Sequence, residues 1–246
     1  EIAHCDPLAE RAMAAVSTGK VVEEALGLPD NMGIAYTYNE PVVWYEYMYD
    51  IAAGIKAQNK DKQNVVVTNG FINPEPLEDL FKFTDAFSVD LKAFTDKFYT
   101  KLTKSSLNPI LEALKLIYRA GKHLEVTNLL IPGYNDDADD FRRMLDWIAE
   151  NLDENVPLHI SRFHPAYKMT NTPPTSPKKL REFYKIAASY MHYVFLGNIS
   201  IEGTSDTYCK SCGKPLIRRS FFQTDISGLD AQGKCKYCGE KNIAYI

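Results

Sequence analysis

The sequence predicts an α/β protein: a partial parallel (βα) barrel followed by a small C-terminal metal-ribbon module. Three observations predict it. Short β-rich runs alternate with longer segments of helical period along most of the chain. Polar residues gather at the same end of successive runs. After Gly197 the alternation stops, and glycines, charges and two cysteine pairs replace it.

The β-rich runs are Gly33–Tyr38, Asn64–Thr68, Ala86–Leu91, His123–Leu130 and Pro157–Phe163, with Tyr193–Leu196 as a further strand candidate. Val, Ile, Phe and Tyr dominate them, as in buried parallel strands. The intervening segments carry apolar stripes that would pack on a sheet. Val43, Tyr47, Ile51 and Ile55 form the first, and Ile110, Leu114, Ile117 and Tyr118 the second. Phe141, Leu145, Ile148 and Leu152 form the third, and Leu180, Phe183, Ala187 and Met191 the fourth. Gly121, Pro132 and Gly133 punctuate the junctions. Such alternation implies βαβ units with right-handed crossovers.

The chain opens with a helix candidate, Val16–Leu26, whereas a β/α barrel normally opens with a strand. The first strand is therefore expected upstream of residue 1, which is Glu and fits a fragment or a processed chain. Asn171–Pro177, rich in Pro and Thr, reads as a surface loop. A boundary is expected near Gly203, separating a barrel at 1–202 from a four-cysteine, zinc-ribbon or rubredoxin-like module at 203–246.

A chain of 246 residues can bury a sizeable core, and 45% hydrophobic with 24% charged residues is ordinary for a globular protein. The net charge of −4 supplies no bulk basic field for nucleic acid or an anionic membrane. The apolar stretches fall far short of a membrane span. The expectation is a cytoplasmic protein with neither nucleic acid nor membrane as partner.

Of five cysteines, Cys5 stands alone and four form the pairs Cys209-Lys-Ser-Cys212-Gly213 and Cys235-Lys-Tyr-Cys238-Gly239. Two residues between thiolates let one tight turn aim both sulfurs at a single ion. Glycine after the second cysteine suits the left-handed backbone of such a knuckle. Two knuckles make a tetrahedral S4 site for zinc or a single iron, structural because no coordination position stays open. In a module with little core the metal would supply much of the folding free energy.

Barrel enzymes build their sites at the C-terminal ends of the strands. Here those ends read Tyr36-Thr37-Tyr38-Asn39-Glu40-Pro41, Val67-Thr68-Asn69-Gly70, Ser88-Val89-Asp90-Leu91-Lys92, Val126-Thr127-Asn128 closing with Ile131-Pro132-Gly133, and His159-Ile160-Ser161-Arg162-Phe163-His164-Pro165. Strand alternation puts Asp90 with Lys92, and Arg162 with His164, on common sides. One cavity holding carboxylates, cations and amides would suit a zwitterionic, hydroxyl-bearing ligand. Structural alternatives stand beside each reading. Glu40 could cap a helix, Thr68-Asn69-Gly70 could be a strand-ending turn, Asp90 and Lys92 a buried pair, and His164 a loop histidine.

These strand ends, with the closing knuckles, resemble the radical SAM superfamily. Within it they are most similar to the pyruvate formate-lyase activating enzyme-like branch called the AmmeMemoRadiSam system radical SAM enzyme. The resemblance spans almost the whole chain. It implies a partial (βα)6 barrel in which S-adenosylmethionine (SAM) chelates a [4Fe–4S] cluster and is cleaved reductively to a 5′-deoxyadenosyl radical. By position, Glu40 would receive the methionine ammonium, and Thr68 and Asn69 would lie near the ribose or carboxylate. Asp90 and Lys92 would contact the SAM carboxylate region, and Asn128 and His164 would complete the pocket. The branch's name implies association with AMMECR1-like and Memo-like proteins.

The chain departs from the family at one point: the Cys-x3-Cys-x2-Cys loop that holds the cluster does not occur. In the family that loop ends a few residues before a stretch similar to Glu1-Ile2-Ala3-His4. The cluster ligands are thus expected outside this chain, and this chain alone is expected to be inactive. Two other functions compete. Lys92 beside Asp90 would suit a Schiff-base lyase or aldolase. A barrel without chemistry would leave a scaffold whose ribbon binds a partner.

Overall fold

The computed structural model describes residues 15–220 and 223–242, so that Cys5 and the Glu1-Ile2-Ala3-His4 stretch lie outside the described residues. The elements follow in the order α1 (Thr18–Gly27), β1 (Gly33–Tyr36), α2 (Tyr45–Gln58), β2 (Gln63–Thr68), α3 (Pro74–Leu80) and β3 (Ala86–Asp90). Then come a short α4 (Asp96–Phe98) running into a π-helical turn, α5 (Asn108–Arg119), β4 (His123–Leu130) and α6 (Ala138–Asn151). β5 (Leu158–Arg162), α7 (Pro177–Ala187) and β6 (Val194–Gly197) complete the alternation. β7 (Thr207–Tyr208), β8 (Pro215–Ser220) and β9 (Gln223–Asp225) form a separate three-stranded antiparallel sheet.

The first six strands lie in one parallel sheet in the order β1-β2-β3-β4-β5-β6. Sequence order and spatial order coincide, as successive βα units winding in one direction produce. Four of the six predicted strands need their ends trimmed or moved by one or two residues, β2 gains one at its start, and β4 matches. Among the described residues no helix is long and apolar enough to cross a membrane.

The chain divides into two compact units. The first comprises Glu1–Leu91 and Ser106–Glu125. Its strands alternate as a helix-covered sheet requires: on β2, Asn64, Val66 and Thr68 are buried, and Val65 and Val67 are half-buried. The α2 stripe differs from the predicted one. Met48, Ile51, Ala52 and Ile55 are buried, whereas Val43 is 84% exposed. Pro41–Trp44 winds as a 3-10 turn, whose three-residue period throws Val43 off the face that continues into α2. At the core of this unit Asn64 is fully buried. Its Nδ2 donates to Ala52 O (3.1 Å) and Phe83 O (2.8 Å), and its Oδ1 accepts from Tyr36 OH (3.0 Å). Burial pushes the Tyr36 hydroxyl well above its ordinary pKa, which keeps it a donor.

The second unit comprises Lys92–Ser105 and Val126–Ile246. The boundary expected near Gly203 falls inside it, between β6 and β7. α6 and α7 bury Phe141, Met144, Leu145, Ile148, Leu180, Phe183 and Ala187, with the Phe141 and Phe183 rings 4.7 Å apart.

The 171–177 segment is the expected surface loop at five of its seven positions, but Thr175 within it is fully buried. Its hydroxyl donates to Leu130 O and accepts from Phe163 N, and Arg162 Nε donates to Thr175 O. A Pro- and Thr-rich composition favours an extended chain; here one residue of that chain, Thr175, turns inward and ties the ends of β4 and β5 together. Replacing Thr175 by Val, nearly the same shape, is expected to destabilise the protein by about 1–3 kcal/mol, since two buried backbone groups lose their partner. Urea unfolding of the variant checks this, and an unchanged midpoint would refute it.

Candidate functional site

In the first unit the chain leaves β1 at Tyr36 and reaches Glu40, whose carboxylate turns to the tip of β2. Oε1 accepts from the Thr68 hydroxyl (2.6 Å) and from Val42 N (3.2 Å), and Oε2 accepts from Asn69 N (2.7 Å). Both structural alternatives are therefore real: Glu40 caps the 3-10 turn, and Thr68 and Asn69 close turns by accepting from Gly70 N (3.1 Å) and Phe71 N (2.8 Å). Gly70 takes φ +72°, and a Cβ there would stand 2.8 Å from the Val89 side chain. A carboxylate offers about four acceptor positions. Three are used here, so Glu40 keeps capacity for one further donor while it is held rigidly. Tyr38, 86% exposed, and Phe71, 45% exposed, are on the loops that carry this cluster. Asp90 ends β3 and is half-buried.

In the second unit the Lys92 carbonyl accepts from the side-chain amides of Asn128 (3.0 Å) and Asn135. Asn128 lies on the helix-covered side of β4, its Nδ2 also 3.8 Å from Met144 Sδ of α6. Asn135 additionally donates to Leu129 O and accepts from Ile131 N, so it shapes the turn after β4. Sequence reasoning missed Asn135; an amide two residues beyond Pro132-Gly133 was the available signal. A shallow pocket beside it is lined by Ala93, Phe94, Thr95, Asp140 and Phe141 together with these amides. His164 is exposed, and its Nε2 lies 3.3 Å from Asn198 O.

The four predicted cysteines converge. Their sulfurs all lie within 4.8 Å of one another, with Cys209–Cys238 at 3.6 Å and Cys212–Cys235 at 3.7 Å. Sulfurs of a tetrahedral site with metal–sulfur bonds of about 2.3 Å stand about 3.8 Å apart. The residues thus fit a four-coordinate ion. The two knuckles repeat one geometry: Gly213 N donates to Cys209 O (2.8 Å), and Gly239 N to Cys235 O (2.7 Å). Both glycines have positive φ, +67° and +77°. Burial raises the Cys209 thiol, but the Cys212 and Ser211 amides and the Asn242 side chain outweigh it and bring the pKa down to about 6. Cys238 feels the Glu240 amide, which lowers it; burial and the three neighbouring sulfurs prevail and push it up to about 12.

Asn242, also missed, crosses between the knuckles. It accepts from Lys210 N (2.8 Å) and donates to Cys209 Sγ (3.4 Å), while its carbonyl accepts from Tyr193 OH (2.7 Å). Burial, then the Cys209 charge, raise the Tyr193 hydroxyl to about 12, so that it remains a donor.

No protein-family model matches the chain. It is 43% identical over 211 residues to an uncharacterized protein of Methanocaldococcus jannaschii, covering 85% of this chain and 62% of the relative. The chain therefore spans less than two thirds of that relative's length. Among solved structures it is similar to a domain of pyruvate-formate lyase-activating enzyme from Bacteroides vulgatus (TM-score 0.59, 17% identity, 68% of this chain and 99% of that one). It is also similar to a radical SAM methyltransferase from Sphaerobacter thermophilus (TM-score 0.57, 16% identity, 74% and 57%). A third likeness is to Streptococcus suis SuiB bound to S-adenosylmethionine (TM-score 0.61, 12% identity, 76% and 44%). The six-stranded parallel α/β architecture of this chain is the fold that these solved structures share.

Proposed function

We propose that the chain is the SAM-binding core of a radical SAM enzyme, the class that cleaves S-adenosylmethionine reductively at a [4Fe–4S] cluster. The observation that carries this reading is the Glu40 cluster at the tips of β1 and β2. The carboxylate is pre-oriented by three donors and retains acceptor capacity, which suits the ammonium of the methionine moiety. Thr68 and Asn69 fix the carboxylate and line its side of the site. The fold likeness supports the same reading.

The cluster itself does not fit the residues of this chain. Of five cysteines in the sequence, four are gathered in the ribbon and Cys5 is a single thiol. The described residues hold no second group of cysteines that could ligate such a cluster. What this chain contributes is recognition: Glu40, held by Thr68, Val42 and Asn69, would receive the ammonium. The ribbon cysteines would hold zinc or iron as a structural ion.

The test is calorimetric titration of the protein with S-adenosylmethionine. Glu40→Gln, which keeps the shape and removes the charge, is expected to weaken binding by about tenfold or more. Binding unchanged in that variant would overturn the assignment.

A further inference from the structure

The two cysteine knuckles close alike, and one side chain breaks the repeat. Cys209 N donates to Lys214 O and Cys235 N to Glu240 O, both at 2.8 Å. Leu216 stands seven residues beyond Cys209, and Asn242 stands seven residues beyond Cys235. The first position is apolar and buried; the second carries an amide that reaches back across to the first knuckle. That amide has one orientation that satisfies its neighbours. Lys210 N can only donate, so Oδ1 faces it at 2.8 Å. Glu240 O can only accept, so Nδ2 faces it at 2.9 Å. The other Nδ2 hydrogen is left for Cys209 Sγ, 3.4 Å away. Among the described residues, no other side chain outside the cysteines donates to a cysteine sulfur. Cys209 is 3% exposed, so water competes little for that sulfur. The backbone of Asn242 is fixed as well, because Tyr193 OH, just ahead of β6, donates to its carbonyl (2.7 Å).

We propose that Asn242 is a positioning residue for the ribbon's metal ion: its amide aims the Cys209 sulfur at the ion and draws charge from it. The proposal rests on the four cysteines being a metal site and is independent of the Glu40 assignment. Cysteine binds a metal as the thiolate, and an N–H bond to a charged sulfur is charge-assisted. Partners that orient a metal ligand without touching the metal are commonly worth about 10–100-fold in affinity. Here the same amide also ties Lys210 of the first knuckle to Glu240 beside the second, so one side chain sets the spacing of both.

The experiment uses the full chain, reduced and loaded with cobalt(II), whose absorption reports charge transfer from sulfur to metal. The parent chain is expected to give the spectrum of a tetrahedral four-sulfur site. A parent chain that gives none overturns the metal reading and this proposal together. Asn242→Asp keeps the size and the acceptor for Lys210 N but removes the donor to sulfur, and Asn242→Ala removes both. In competition with a chromophoric chelator, each is expected to bind cobalt about tenfold or more weakly. At saturating cobalt, each is also expected to move the charge-transfer band to longer wavelength, because a sulfur without its hydrogen bond gives up charge more easily. Circular dichroism verifies the fold of both variants. With the parent spectrum in place, unchanged affinity in both variants overturns the proposal. Weakened affinity with the band unmoved overturns it too, since a brace that never acts on the sulfur would give that result.

Discussion

Cys235→Ser is expected to unfold the β7–β9 ribbon in the metal-loaded protein, and chelation is expected to do the same to the parent chain. Among the described residues the ribbon has little apolar core of its own: Leu216 is buried with Cys209 and Cys235, and Ile217 and Leu229 pack against them. Metal binding to such modules is worth about 10–16 kcal/mol at neutral pH, comparable with the whole stability of a domain. Hydrogen exchange reads the outcome directly. Amides of β7, β8 and β9 should lose protection, and retained protection after chelation would sink the idea. The pH dependence follows from the thiols. Cys212 and Cys238 both titrate above the ordinary thiol value, and Cys238 near 12. Both are protonated at neutral pH, so metal binding must expel their protons. Apparent affinity should therefore fall as pH drops, by about a hundredfold per unit if two protons leave.

The second large effect is expected at Asn64. Replacing it by Leu deletes the partner of Tyr36 OH, Ala52 O and Phe83 O in a site fully sealed from water. Each orphaned buried group costs about 1–3 kcal/mol, giving about 3–5 kcal/mol together. That is a large share of a typical domain stability of about 5–15 kcal/mol. Urea denaturation measures it, and Tyr36→Phe in a double-mutant cycle should show strong coupling, since the two side chains share a bond. A loss below about 1 kcal/mol would show that the network is dispensable.

The fold was legible because periodicity is local. Strand parity and helical spacing located six strands and the longer helices, though not α3 or the short α4, and the stripes of α5, α6 and α7 match closely, with Ile110, Leu114, Ile117, Phe141, Leu145, Ile148, Leu180, Phe183 and Ala187 buried. The α2 stripe slipped because its first turn has a different period. The 171–177 loop was legible from its composition, but composition is silent about Thr175, the side chain that turns inward. The metal site was legible because each Cys-x2-Cys pair encodes its own turn.

What the sequence by itself determined is what short spacing can encode: the order of strands and helices, the two knuckles, and the polar character of the strand tips. The tertiary structure alone decided which polar groups meet. Glu40 bonds Thr68 and Asn69, Tyr36 bonds Asn64, and Thr175 bridges β4 and β5. The physical reason is that such a bond joins residues far apart along the chain, and sheet register and helix packing bring them within reach only once the backbone has closed.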